Sequence, residues 1–311
     1  MNKTERECSQ TEWHLDANLE SMLDRAIDLA LDEDLGALAG INGAVDITTV
    51  STVPSKARGR ARVIVKEPTV LAGIDVLERV FNRLTARQAE PEQFSFKAEA
   101  DYKEGTYIKD CPTVVLSIEG PARAILTGER LALNLMQRMC GVATITRSFV
   151  EKVEGSGIKV LDTRKTTPCL RAFDRIAVHL GGGVNHRSGL YDRILIKDNH
   201  IAMAGSIKAA IEAARNSYPE ASIEVETRSL EEVEQASALE PEHILLDNMS
   251  PKMVKEAIAI IDGRSLVEIS GGINIATIAT YVIEGVDAIS VGALTHSAPA
   301  KDISLDMDLS L

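Results

Sequence analysis

The first third of the chain mixes two periodicities. Leu19, Met22, Leu23, Ala26, Ile27 and Ala30 fall on one face of a helix. Residues 36–46, GALAGINGAVD, are small and glycine-rich and read as a loop. Short strands are expected at 61–67 (ARVIVKE), 94–100 (FSFKAEA) and 113–120 (TVVLSIEG), with a helix near 74–84 between the first two. Elements in this order predict an α+β unit with one sheet face covered.

From about Ala122 the pattern changes. A long amphipathic helix runs through ILTGERLALNLMQRM. Short apolar runs follow: IKVL (158–161), RILI (193–196), SIEVE (222–226), HILL (243–246), SLVEI (265–269) and DAISV (287–291). Helical patterns lie between the later runs, at 204–217, 229–239, 250–261 and 274–284. Repeated βα units imply parallel strands joined by right-handed crossovers. Periodicity alone leaves a barrel and a doubly wound sheet both open.

The residues just after each apolar run carry the chemistry. IKVL is followed by Asp162, Thr163, Arg164 and Lys165, and RILI by Lys197, Asp198, Asn199 and His200. SIEVE ends in Glu226, and HILL is followed by Asp247 and Asn248. SLVEI is followed by Ser270, Gly271 and Gly272, and DAISV by Gly292 and Ala293. An α/β barrel builds its active site from the loops at the C-terminal ends of its strands. Glycine turns after the last two strands suit a phosphate, because backbone N–H groups can approach its oxygens unobstructed. The carboxylates Glu226 and Asp247 would repel that anion. A hard cation such as Mg²⁺ reconciles the two, since it takes carboxylate and phosphate oxygens together. The set Arg164, Lys165, His186, Arg187 and Lys197 complements a small polyanion.

Charge sharpens this reading. The 311 residues carry 34 Lys plus Arg against 46 Asp plus Glu, a net charge of −12, which argues against nucleic acid or an anionic membrane as partner. Residues 1–50 hold 11 acids and 3 bases. Residues 161–200 reverse the balance, with seven bases against four acids and three of the six histidines. This window is expected to meet the substrate. The cysteines Cys8, Cys111, Cys140 and Cys169 form no Cys-x-x-Cys pair, which fits a reduced, cytoplasmic setting. No apolar run suggests a secretory signal or a transmembrane helix.

Several runs together resemble one family. They are GERLALNLMQRMCGVAT (128–144), DTRKTTP (162–168), GGGVNHRSGLYDRILIKDNHI (181–201), LLDNM (245–249), EISGGI (268–273) and ISVGALTHSAPAKD (289–302), with LALDEDLG and VDITT near the start. The chain resembles quinolinate phosphoribosyltransferase over nearly its whole length. The resemblance implies an N-terminal α/β sandwich domain over 1–128, onto which the tail 297–311 packs back. An incomplete, roughly seven-stranded α/β barrel over 129–296 would follow. It implies transfer of phosphoribosyl from phosphoribosyl pyrophosphate to quinolinate with loss of CO₂, giving nicotinate mononucleotide and pyrophosphate in NAD biosynthesis, with Mg²⁺. It implies a homodimer in which Arg130 reaches the partner's site. Thr163, Arg164, Lys165, His186, Arg187 and Lys197 would hold carboxylates and phosphates. Glu226 and Asp247 would contact ribose hydroxyls and Mg²⁺, and Ser270, Gly271, Gly272, Gly292 and Ala293 the 5′-phosphate. Two departures stand out: extra residues at about 37–44, expected as a surface loop, and Cys169 where the family pattern has Gly.

Other readings remain open at this point. A nicotinate phosphoribosyltransferase would need a pocket for one carboxylate. An aldolase would use Lys197 as a Schiff-base lysine. A phosphoribosyl-ligand sensor would have lost part of the basic or acidic set.

Overall fold

The computed structural model describes residues 17–37, 45–87, 93–100 and 102–308. Cys8 and most of the 37–44 segment lie outside the described residues. The chain divides into two compact units. One comprises 14–145, 167–182 and 298–311; the other holds 146–166 and 183–297.

The first unit contains α1 (Ala17–Leu35), α2 (Ile47–Thr52), β1 (Arg58–Val65), β2 (Thr69–Val70), α3 (Ile74–Ala86), β3 (Ser95–Ala98), β4 (Tyr107–Ile108), β5 (Thr113–Pro121) and most of α4 (Ala122–Lys152). Its antiparallel sheet has the order β12-β1-β5-β3, where β12 (Ile303–Met307) is the returning tail, paired Val65 to Ile303 and Ala61 to Met307. In β1 alternate residues are buried, as expected where one sheet face is covered. The cover is α3, whose Leu77, Val80, Phe81 and Leu84 are buried. Phe81 packs against Phe94 with ring centroids 5.3 Å apart. The acids of the N-terminal region are not simply solvated. Asp24, Asp28 and Asp32, one turn apart on α1, meet Arg79 and Arg83 on α3 and, at the same spacing, Arg87 at its C-terminal cap.

In the same unit α5 (Arg171–Leu180) is tied to α4 by the two-pronged pair of Arg138 with Asp174, both contacts at 2.8 Å. Arg171 and Arg175 therefore belong to a helix of the first unit. Cys169, just before α5, has a left-handed φ of +66° and is exposed. An L-residue with a Cβ is strained there where glycine is not. Cys169→Gly is expected to raise stability, by up to about 1 kcal/mol after the entropic cost of glycine. An unchanged or lower urea midpoint would contradict this.

The second unit is built on six parallel strands in the order β6-β11-β10-β9-β8-β7. These are β6 (Lys159–Leu161), β7 (Ile194–Ile196), β8 (Ile223–Thr227), β9 (His243–Asp247), β10 (Leu266–Ser270) and β11 (Ala288–Ser290). From β7 to β11 each strand neighbours the next in sequence, and the first strand, β6, pairs with the last. That is a singly wound barrel, open between β6 and β7. A doubly wound sheet would reverse its winding midway. Where a seventh strand was expected, a single bridge joins Val184 to Leu161. The glycines of GGGVNHR leave too short an apolar run for a longer ladder.

The crossovers are α6 (Asp198–Ala204) with α7 (Ile207–Ser217), α8 (Leu230–Ser237) and α9 (Pro251–Ile261), and the short α10 (Ala293–His296) follows β11. Ser206, Ser229 and Ser250 cap α7, α8 and α9, each accepting from a main-chain N–H three residues on. The helix expected at 274–284 is only a 3₁₀ turn over Ile278–Tyr281. Ile275, Thr277, Ile278, Thr280, Val282 and Ile283 are β-branched and poor helix formers, and Asn274 Oδ1 accepts from the N–H groups of Ala276 and Thr277.

Candidate active site

The C-terminal ends of the barrel strands gather the charged residues read from the sequence. At the end of β6, buried Asp162 accepts from the His186 N–H at 2.6 Å and from Asn185 Nδ2 at 2.9 Å. This pins the 185–187 segment against the strand end. Arg187 then projects beside Arg164, and its Nη1 donates to the Arg193 carbonyl at 3.1 Å. Burial and the neighbouring Arg164 charge push the Arg187 pKa down, against the opposing pull of Glu224 and Asp192.

Lys165 follows Arg164, and its carbonyl accepts from Thr295 Oγ1 at 2.9 Å. A Cβ on Gly292 would stand 3.1 Å from Lys165 Cδ, so the glycine keeps room for that side chain. Thr163 Oγ1 accepts from the Lys165 N–H at 3.1 Å. Ser270 ends β10, and Gly271 follows with φ +95°. A Cβ on Gly271 would lie 2.3 Å from Asn248 Oδ1, so this turn admits glycine alone, on backbone and on space. Gly272 is also left-handed, at φ +62°, and Ala293 opens α10.

Lys197, at the end of β7, donates to Glu226 Oε2 at 2.6 Å. Glu226 lies on the inward row of β8 with its side chain 8% exposed, so the carboxylate is shielded while Lys197 stays half exposed. Asp247, at the end of β9, accepts from Asn248 Nδ2 at 2.9 Å.

Two features escaped the sequence reading. The first is Arg228, whose guanidinium reaches Asp198 at 2.7 Å and Glu226 and Asp247 at 3.3 Å each. The second is a buried polar layer inside the barrel. His186 Nε2 lies 3.2 Å from Glu224 and 3.4 Å from Glu268, and Glu224 also meets Arg193 at 3.5 Å. The signal for both was strand alternation. Glu224, Glu226 and Arg228 share the inward parity of β8, yet only Glu226 was singled out.

His186 therefore has its ring in the interior. Burial alone would lower its pKa, but Glu224 and Glu268 outweigh that and push it up, to about 10. Its Nδ1 lies 2.7 Å from the Arg187 main-chain nitrogen, which turns Nε2 toward the two carboxylates. The spacing of His186, Glu224 and Glu268 would also suit three metal donors. A protonated Nε2 cannot ligate, so the geometry favours a proton bridge between the carboxylates. Arg130 lies on α4 in the first unit, exposed and 3.8 Å from Glu129.

The model of the quinolinate phosphoribosyl transferase C-terminal domain matches residues 142–306, and that of the N-terminal domain matches 46–140. The chain belongs to the quinolinate phosphoribosyltransferase family. It is 41% identical over 281 residues to the nicotinate-nucleotide pyrophosphorylase [carboxylating] of Mycobacterium leprae, covering 89% of this chain and 94% of that one. It is 37% identical over 305 residues to quinolinate phosphoribosyltransferase [decarboxylating] 1b of Nicotiana tabacum, covering 92% and 82%. The crystal structure of NadC from Streptococcus pyogenes is similar with a TM-score of 0.83 at 39% identity, over 92% of this chain and 96% of that one. Family membership answers the question that periodicity left open, and it agrees with the winding of the barrel strands. No helix among the described residues is long and apolar enough to cross a membrane.

Proposed function

We infer that the barrel mouth is where this chain, a decarboxylating quinolinate phosphoribosyltransferase of NAD biosynthesis, performs its reaction. There it joins quinolinate to phosphoribosyl pyrophosphate, giving nicotinate mononucleotide, pyrophosphate and CO₂. The observation that carries the location is the Arg164 and Arg187 pair, an exposed cation beside a part-buried one next to the end of β6. Quinolinate is a dianion and its co-substrate a polyanion, so such a pair has a charge to meet. Arg164, Lys165, Arg187 and Lys197 bind carboxylates and phosphates in this reading. His186 acts from beneath, through the Arg187 main chain. Ser270, Gly271, Gly272, Gly292 and Ala293 offer main-chain N–H groups to the 5′-phosphate.

As pyrophosphate leaves, positive charge develops on the ribose ring, and Glu226 and Asp247 stabilise it. Fixing the pyridine nitrogen against that carbon supplies the proximity. After the C–N bond forms, the carboxylate next to the ring nitrogen departs as CO₂. Its electron pair passes to the quaternised ring, and a proton from solvent replaces it.

The donor set fits a hard divalent cation, because Glu226 and Asp247 already share one cationic group. When bound there, Mg²⁺ would neutralise phosphate charge beside these two carboxylates. The reading includes a homodimer with Arg130 contributed to the partner's site, and a cytoplasmic setting. The free thiols Cys111, Cys140 and Cys169 support a reducing compartment.

Incubation with quinolinate, phosphoribosyl pyrophosphate and Mg²⁺ is expected to release CO₂ and form nicotinate mononucleotide in equal amounts. Binding of both substrates without turnover would overturn the reading.

A further inference from the structure

Arg228 has no role in the scheme above, yet it is the most heavily engaged cation at the barrel mouth. It follows β8, on the parity that turns Glu224 and Glu226 inward. Its three guanidinium nitrogens are each taken by a carboxylate from a different strand end. Nη1 meets Asp198 after β7 at 2.7 Å, Nη2 meets Glu226 Oε1 at 3.3 Å, and Nε meets Asp247 Oδ2 after β9 at 3.3 Å. Its main-chain N–H donates to Glu232 at 2.6 Å, which anchors the backbone while the side chain stays half exposed.

Two of those carboxylates, Glu226 and Asp247, are the ones assigned above to a divalent cation. A guanidinium and a divalent cation compete for the negative charge of the same carboxylates and repel each other at such short range. We propose that Arg228 is a displaceable counter-cation, which holds Asp198, Glu226 and Asp247 together until a divalent cation and a phosphorylated substrate arrive, and then turns to the substrate's phosphates.

Three features support this. The pairs are exposed on the arginine side, so they are individually weak and can be exchanged. The arginine stem is long and flexible, while its main chain is fixed. A released guanidinium matches phosphate oxygens with two parallel donors. The inference rests on the assignment of Glu226 and Asp247 to the cation.

The test titrates Mn²⁺ alone into the full chain, without substrates, by calorimetry and by the electron paramagnetic resonance of free Mn²⁺. Arg228→Met keeps the length of the side chain and removes its charge. The variant is expected to bind Mn²⁺ about tenfold more tightly than the unmodified chain, as three weak pairs no longer compete. Its melting temperature should also rise more on adding Mn²⁺. With Mn²⁺ saturating, its KM for phosphoribosyl pyrophosphate should rise, because the released arginine is missing. Equal Mn²⁺ affinity in the two chains would overturn the proposal. Glu226→Gln separates the two failures. If Glu226→Gln abolishes Mn²⁺ binding while Arg228→Met changes nothing, the counter-cation role alone falls. If Glu226→Gln leaves Mn²⁺ affinity untouched, the cation assignment falls and the proposal with it.

Discussion

Lys197→Ala is expected to lower kcat/KM by about 10²–10³-fold, the usual loss when one charged contact to developing or bound anionic groups is removed. Two effects add. The barrel mouth loses a cation that faces the substrate anions. Glu226, nearly buried, also loses its 2.6 Å partner and keeps only Arg228 at 3.3 Å. Its carboxylate can then draw Arg228 further in, which works against phosphate binding. Lys197→Arg retains the charge but replaces a compact ammonium by a wide fork beside a shielded carboxylate, so only partial activity is expected. Steady-state kinetics with each substrate varied in turn checks both variants. Full turnover in Lys197→Ala would remove Lys197 from the site.

The second large effect concerns stability. His186→Leu is expected to cost about 3–5 kcal/mol at neutral pH, the range for removing one partner of a buried ionic cluster. The imidazole stands between Glu224 and Glu268. Without it two buried carboxylates face one another, with Arg193 left on Glu224 and Ser290 Oγ on Glu268. Burial and the Glu224 charge already raise the Glu268 pKa, and His186 is among the groups that hold it down. Removing the imidazole raises it further. An acid whose folded pKa lies above its unfolded value keeps protons that the unfolded chain releases, so stability falls as pH rises. The raised His186 pKa acts with the same sign in the unmodified chain, whose imidazolium contribution is full below the unfolded value and lost as pH rises. Urea unfolding at pH 7 measures the deficit, and a loss below about 1 kcal/mol would show that the imidazole does not bridge the two carboxylates.

Local chemistry made much of the site legible. A strand followed by Asp-Thr-Arg-Lys, or by Lys-Asp-Asn-His, places those residues at a strand end by chain connectivity alone. Lys197, Glu226, Asp247 and the glycines after β10 and β11 needed no tertiary information beyond parallel strands. The helices α7, α8 and α9 were legible for the same reason, each with a serine cap before an apolar period. The 274–284 segment misled because its apolar spacing is helical while its β-branched residues resist a helix.

The charges of the 161–200 window are divided between different elements. Arg171 and Arg175 sit on α5 in the first unit, and Arg193 turns inward to Glu224. Arg164, Lys165, Arg187 and Lys197 remain at the strand ends. A net charge counted along the chain cannot separate these groups, because neighbours in sequence are divided between two units.

By itself the sequence determined the order of the elements, the family and the residues at each strand end, because those follow from periodicity and from adjacency along the chain. Only the tertiary structure decided which charges meet. Arg228 comes to share three carboxylates because parallel strands set the ends of β7, β8 and β9 side by side, although Asp198 and Asp247 lie far from it in sequence. His186 comes to lie between Glu224 and Glu268 because the barrel turns β8 and β10 inward around it. Charge pairing depends on distance in space and on exclusion of water, and closure of the barrel sets both.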